Sequence, residues 1–156
     1  MPKSLPKLFL SIGLCLLAGG VGAIFTTQAI PTWYASLNKP FFSPPNWIFA
    51  PVWTTLYILM GISLFMIWQL KAGVERNRAL GIFAIQMALN FLWSFLFFYF
   101  HNMGLALSDI VALWISIVVM LYLFYKLKPV AAYINIPYIL WVSFATALNA
   151  AYLGLN

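Results

Sequence analysis

The side chains best able to do chemistry in this 156-residue chain are tryptophans, tyrosines and amides repeated at helical spacing. Trp53, Tyr57, Met60, Gly61, Leu64 and Trp68 follow one another at intervals of four, three, one, three and four, which aligns them on one helix face. Gln86, Asn90, Trp93 and Phe97 form a second such face, and Tyr138, Trp141, Ala145, Leu148, Asn149 and Tyr152 a third. Indole and phenol rings stack on flat π-systems. An amide in an apolar run either bonds a neighbouring helix or contacts a ligand, and both roles require Asn90 to face inward. Ala145, small among large aromatics, would leave room for a flat molecule. The same spacing also describes ordinary bundle packing, and pattern alone does not separate the two. Trp47 and Trp68, near helix ends, read as interfacial tryptophans. Trp53 lies a turn or more inside, beneath a Pro-rich segment.

Other reactive groups are sparse. His101 is the only histidine and Cys15 the only cysteine, so neither a metal site nor an intramolecular disulfide is expected. Asp109 is the one acid within an apolar run, about a turn from a helix end, and a hydrogen bond to a neighbouring helix is the expected way to hold it. There is no phosphate-binding Gly-rich loop, nucleophile elbow or carboxylate pair. Hydrolytic and phosphoryl-transfer chemistry is not indicated, and no cofactor is implied.

The elements that must position these faces follow from composition. The chain is 65% hydrophobic and 6% charged, far from the roughly 45–50% apolar and ~25% charged content of soluble domains. Apolar runs at about 8–28, 47–70, 79–100, 103–125 and 130–155 are each long enough to cross a hydrocarbon core of about 30 Å. They lack the alternation of barrel strands, so the expected fold is an all-α, integral membrane bundle of five transmembrane helices in one domain spanning 1–156. Short connections make successive helices antiparallel neighbours. The first connection, 29–46, differs: Pro31, Pro40, Pro44 and Pro45 argue against continuous helix, while Trp33, Tyr34, Phe41 and Phe42 imply packing. It reads as a lid.

Lys3, Lys7, Lys71, Arg76, Arg78, Lys126 and Lys128 fall on one side of such a bundle and Lys39 on the other. That bias predicts a cytoplasmic N-terminus, with the first loop and the C-terminus on the outer face. The net charge of +6 is split among separate segments, so nucleic acid is not an expected partner. A basic start before an apolar run also resembles a signal peptide, but the run is long and Leu14 is not the small residue a lipoprotein cysteine needs. The run is therefore read as the first helix. Gly81, Ala84 and Ala88 offer a surface where a second helix backbone approaches closely, as for a homodimer; Gly19, Gly20 and Gly22 compete for that role.

Three ordered blocks are recognisable. WYASLNKPFFSPPNWIFAPVWTTLYILMG, 33–61, resembles the signature of the translocator protein family, also called tryptophan-rich sensory proteins or peripheral benzodiazepine receptors. QMALNFLWSFLFF, 86–98, is similar to its third helix and PYILWVSFATALN, 137–149, to its fifth. The resemblance implies a five-helix bundle, usually dimeric, whose pocket opens toward the first loop and binds porphyrins, sterols and isoquinoline or benzodiazepine-type ligands. It implies pocket roles for Trp53, Asn90, Trp93, Trp141, Ala145 and Leu148, and with their neighbours Trp33 and Tyr57 these form the candidate ligand site. Light-dependent breakdown of protoporphyrin in some bacterial members implicates Trp53 and Trp141 as candidate catalytic residues. The fifth helix has Leu148 and Tyr152 but no following Lys or Arg, which weakens a sterol-recognition pattern.

Three readings follow: a membrane receptor or sensor for porphyrins, a light-dependent porphyrin-degrading catalyst, and a transporter. The absence of charged relays and inverted repeats argues against the last. The dimer expectation is directly testable. Ala84→Leu places a branched side chain in the third-helix contact and is expected to shift a detergent-solubilised dimer toward monomer by light scattering; an unchanged oligomer would exclude this face.

Overall fold

The computed structural model describes residues 4–156; Lys3, counted above in the charge bias, lies outside the described residues. Six α-helices follow in order: α1 (Leu5–Ala29), α2 (Phe49–Trp68), α3 (Val74–Ser94), α4 (Met103–Leu127), α5 (Pro129–Tyr133) and α6 (Ile136–Leu155). No strand forms among the described residues. With their continuations these helices make five segments long and apolar enough to span a membrane, Leu5–Tyr34, Asn46–Trp68, Val74–Tyr99, Met103–Leu127 and Pro129–Leu155. The chain is thus all-α with five spans, because in hydrocarbon every backbone N–H and C=O must be paired within its own segment.

Two segments depart from the sequence reading. The first span does not stop near 28 but continues through a wide π turn, Ile30–Tyr34, and the irregular connection shrinks to 35–45. Pro31 sits at the start of that turn. A π turn already disrupts the ordinary i→i−4 ladder, so the missing proline N–H is accommodated there. The Thr32 hydroxyl donates to the carbonyls of Gln28 (3.0 Å) and Ala29 (3.3 Å). The last span is not one helix over 130–155. It breaks at Ile134 and Asn135, placing Pro137 in the first turn of α6, where its lack of an N–H costs nothing. The Asn135 carbonyl accepts from the N–H groups of Tyr138 (3.1 Å) and Ile139 (3.2 Å), and its amide donates to Ala131 O at 2.9 Å.

The third span ends in a second π turn, Phe95–Tyr99, and is followed by His101, whose φ of 54° is left-handed. That conformation turns the chain sharply into α4, whose first turn is capped by Asn102 Oδ1 accepting from Leu105 N–H at 2.9 Å. Around the bundle, α1 lies between α2 and α3, α4 lies between α3 and α6, and α5 closes the ring against α2. One end carries the 35–45 connection and the C-terminus and is termed the loop end; Lys7, Lys71, Arg76, Arg78, Lys126 and Lys128 gather at the other.

Glycines fix how closely α1 approaches its neighbours. A Cβ on Gly61 would lie 2.5 Å from Ile12 Cα, so α1 and α2 touch backbone to backbone near the basic end. Higher up, a Cβ on Gly19 would collide with the Tyr57 ring. Toward the loop end α1 leans on α3 instead: Gly22 lies against Ser94, and the Phe25 ring meets Phe91, Phe95 and Tyr99 edge-on with centroids 6.3, 5.2 and 5.5 Å away. Gly81, Ala84 and Ala88 are exposed on the outside of α3.

Polar side chains tie the helices together at mid-bundle. Tyr57 O–H donates to Asn90 Oδ1 (2.6 Å), Asn90 Nδ2 donates to Tyr138 Oη (2.9 Å), and Tyr138 O–H donates to Gln86 Oε1 (2.6 Å). This chain joins α2, α3 and α6 with every hydroxyl hydrogen used. Trp93 Nε1–H donates to Asn149 Oδ1 (3.0 Å), and Asn149 Nδ2 to Met103 O (3.0 Å), joining α3, α6 and α4. The hydrogen bond expected of Asp109 is absent at Oδ2, which is buried without a partner among the described residues.

Asn90→Leu would remove two hydrogen bonds at once, leaving the Tyr57 hydroxyl without an acceptor and Tyr138 with only its bond to Gln86. It is expected to lower unfolding stability in detergent by about 1–3 kcal/mol, measured by reversible denaturant titration, while Tyr57→Phe, which removes one bond, costs less. Equal stability of all three proteins would show that the chain of hydrogen bonds contributes nothing.

Candidate functional site

Because α1 is held close to α2 only in the basic half of the bundle and close to α3 in the other half, α1, α2, α3 and α6 enclose a cavity toward the loop end. Its volume is about 280 Å³, just below the roughly 300–1,000 Å³ of pockets that hold drug-sized ligands. Tyr57 and Gly19 lie at its floor, Tyr34 and Tyr152 at its top, and nine of its 23 lining residues are aromatic. None of the lining residues is charged.

Each wall residue is fixed by its neighbours. The Trp53 ring stacks on Tyr57 (5.6 Å, 27°) and meets Tyr138 edge-on at 6.5 Å. Tyr57 is itself held by its bond to Asn90. Trp93 stacks on Phe97 (5.3 Å, 23°) and is oriented by Asn149. Trp141 packs edge-on against Phe49 (6.1 Å) and tilted against Phe144 (5.4 Å). Its indole nitrogen is fully buried and has no acceptor among the described residues. Ala145 and Leu148 complete the α6 side and are buried.

The structure therefore brings six of the eight candidate ligand residues, Trp53, Tyr57, Trp93, Trp141, Ala145 and Leu148, to one cavity. The two others do not line it. Asn90 stands behind the wall, its amide spent on Tyr57 and Tyr138, and acts as a positioning residue. Trp33 lies in the π turn, stacks flat on His101 (4.2 Å, 12°) and meets Phe97 edge-on at 5.5 Å. The wide turn changes the angular position of whatever follows it, which turns Trp33 aside and places Tyr34 at the cavity. Sequence reasoning assigned no residue of α1 to the site, yet Leu16, Gly19, Gly20, Ala23, Thr26 and Thr27 line it. The available signal was the run of Gly, Ala and Thr itself, of which Gly19, Gly20 and Gly22 were read as a surface for another helix.

The loop end is closed by hydrogen bonds. Asn38 N–H donates to Asn156 Oδ1 (2.8 Å), Asn38 Nδ2 to Leu155 O (3.2 Å) and Asn156 Nδ2 to Asn38 O (3.1 Å). Tyr152 O–H donates to Tyr34 Oη at 2.8 Å, and Ser43 Oγ lies 2.9 Å from Tyr152 Oη. The segment 35–45 is thus fastened to the end of α6 directly above the cavity. The Lys39 ammonium lies 5.3 Å from the centre of the Tyr34 ring, near the cavity's top.

Chemically, the site offers flat aromatic surface and a nearby cation. No cluster of three or more His, Cys, Asp or Glu comes together among the described residues. Binding and photochemistry of a π-system are open to such a site, whereas hydrolysis has no nucleophile and base to support it.

The description "TspO/MBR family" belongs to the family model that matches residues 11–154. The tryptophan-rich protein TspO of Archaeoglobus fulgidus is 44% identical over 151 residues, covering 96% of this chain and 97% of that protein. Protein CrtK of Rhodobacter capsulatus is 39% identical over 145 residues, with 91% and 88% covered, and the translocator protein of Bos taurus is 40% identical over 135 residues, with 85% and 80% covered. With the five apolar spans, these matches identify an integral, multi-pass membrane protein, and the chain belongs to the TspO/MBR family.

Proposed function

We propose that the protein is a membrane receptor for planar, largely apolar ligands, porphyrins foremost, held among Trp53, Trp93 and Trp141. The observation that carries this reading is the convergence of three tryptophans from α2, α3 and α6 on one uncharged cavity. Each is braced by its own neighbours, so little ordering remains when a flat ring stacks against it. Lys39 near the top suits a carboxylate at the edge of a porphyrin. Sterols and isoquinoline-type ligands share the apolar, planar character but leave Lys39 unused.

The same two tryptophans, Trp53 and Trp141, carry the second reading, light-driven porphyrin breakdown, because both indoles would lie against the bound π-system. Within this proposal the basic end faces the cytoplasm, and the exposed Gly81, Ala84 and Ala88 face serves a homodimer.

Aromatic contacts contribute about 0.5–1.5 kcal/mol each beyond buried area. Trp53→Ala with Trp141→Ala is therefore expected to weaken protoporphyrin binding by about one to two orders of magnitude in the dark, titrated on folded protein by Soret absorbance. Undiminished affinity would place the ligand elsewhere. Under light, a defined product that disappears with Trp141→Phe would favour the catalyst, and stable bound porphyrin would leave a receptor.

A further inference from the structure

The cavity is closed toward the loop end, so the route into it is a separate question. Its exposed lining residues are Leu16, Gly20, Ala23 and Thr27 on α1, Ala50 and Thr54 on α2, and Asn46 just before α2. Every lining residue from α3, its π turn and α6 is buried or half-buried. The opening therefore lies between α1 and α2 and faces sideways.

The α1 residues fall at intervals of four, three and four, and Ala50 and Thr54 are four apart, so two helix stripes border one gap. Their size keeps it open: a Cβ on Gly20 would meet nothing within 4 Å. Their polarity is masked. Thr54 Oγ1 donates to Ala50 O at 2.8 Å and Thr27 Oγ1 to Ile24 O at 3.2 Å, both within their own helix, so no hydroxyl hydrogen at this rim seeks a partner. From Leu16 to Thr27 the α1 stripe runs about 16 Å along the axis. It lies well inside the Leu5–Tyr34 span, at the depth of lipid chains rather than of water.

We infer that this gap is a lateral portal, through which ligands pass between the cavity and the hydrocarbon core of the bilayer while the 35–45 segment stays fastened. The inference rests on the cavity being the ligand site. It narrows the ligand class to molecules that partition into lipid. It also lets a ligand larger than the cavity leave one edge in the gap, among lipid chains.

Two measurements on the full-length chain in phosphatidylcholine nanodiscs test it. First, Asn38→Cys with Asn156→Cys, oxidised to a disulfide, locks the loop end without touching the cavity wall. Protoporphyrin is expected to associate at an unchanged rate with the locked protein, whereas Gly20→Leu with Ala23→Leu, which fills the portal, slows association by about tenfold. Slow association on locking, restored by reductant, with normal entry in the filled variant would overturn the proposal. Second, without any ligand, lipids brominated at mid-chain are expected to quench tryptophan fluorescence less in the filled variant than in the original. Tryptophans outside the cavity contribute equally to both, so the difference reads the three that line it, Trp53, Trp93 and Trp141. Equal quenching would mean that lipid chains do not reach the cavity, and the portal would be rejected. Unequal quenching with no porphyrin binding by any variant would uphold the portal and reject the porphyrin reading.

Discussion

A polar group in hydrocarbon has no water to fall back on, and the bundle is organised around meeting that demand at its centre. Tyr57, Asn90, Tyr138 and Gln86 donate and accept in one direction, so each hydroxyl serves once as donor. Lipid tails are as apolar as leucine, so apolar burial alone does not tell one helix which neighbour to choose. The hydrogen-bonded chain supplies that selection for α2, α3 and α6. Trp93, Asn149 and the Met103 carbonyl extend it to α4. The cavity wall inherits its rigidity from these bonds.

Only α1 is held differently. It has no part in the polar chain and is placed by contact distances at Gly61, Gly19 and Gly22. Close approach to α2 in one half and to α3 in the other makes it cross the bundle at a slant. The void left on the α2 side is the cavity. Its existence follows from where the glycines stand in α1 and α2 as much as from the tryptophans that line it.

Much of this was legible in the sequence, for definable reasons. Five runs of sufficient length and the period of the aromatic residues depend on local spacing alone, so the spans, and the inward faces of Trp53, Trp93 and Trp141, could be read directly. Asn90 was read as inward-facing, but a pattern of spacing cannot tell a wall residue from the one that braces it. The contribution of α1 was hidden because glycine and alanine have the same signature at a helix contact and at a gap between helices. Pro31 was read as a breaker where it stands at a π turn, in which the ordinary ladder of hydrogen bonds is already reorganised. The closure by Asn38 and Asn156 joins residues far apart in the chain, which no local pattern reports.

The π turn at Ile30–Tyr34 has a consequence for chain length. A π turn holds one residue more than the α-helical turn it replaces. A homologous chain lacking a single residue here would run on as plain α-helix, and everything beyond the deletion would rotate by about 100°. Tyr34 would swing off the top of the cavity and another side chain would take its place. One deleted codon at this point is enough to exchange the residue that roofs the site.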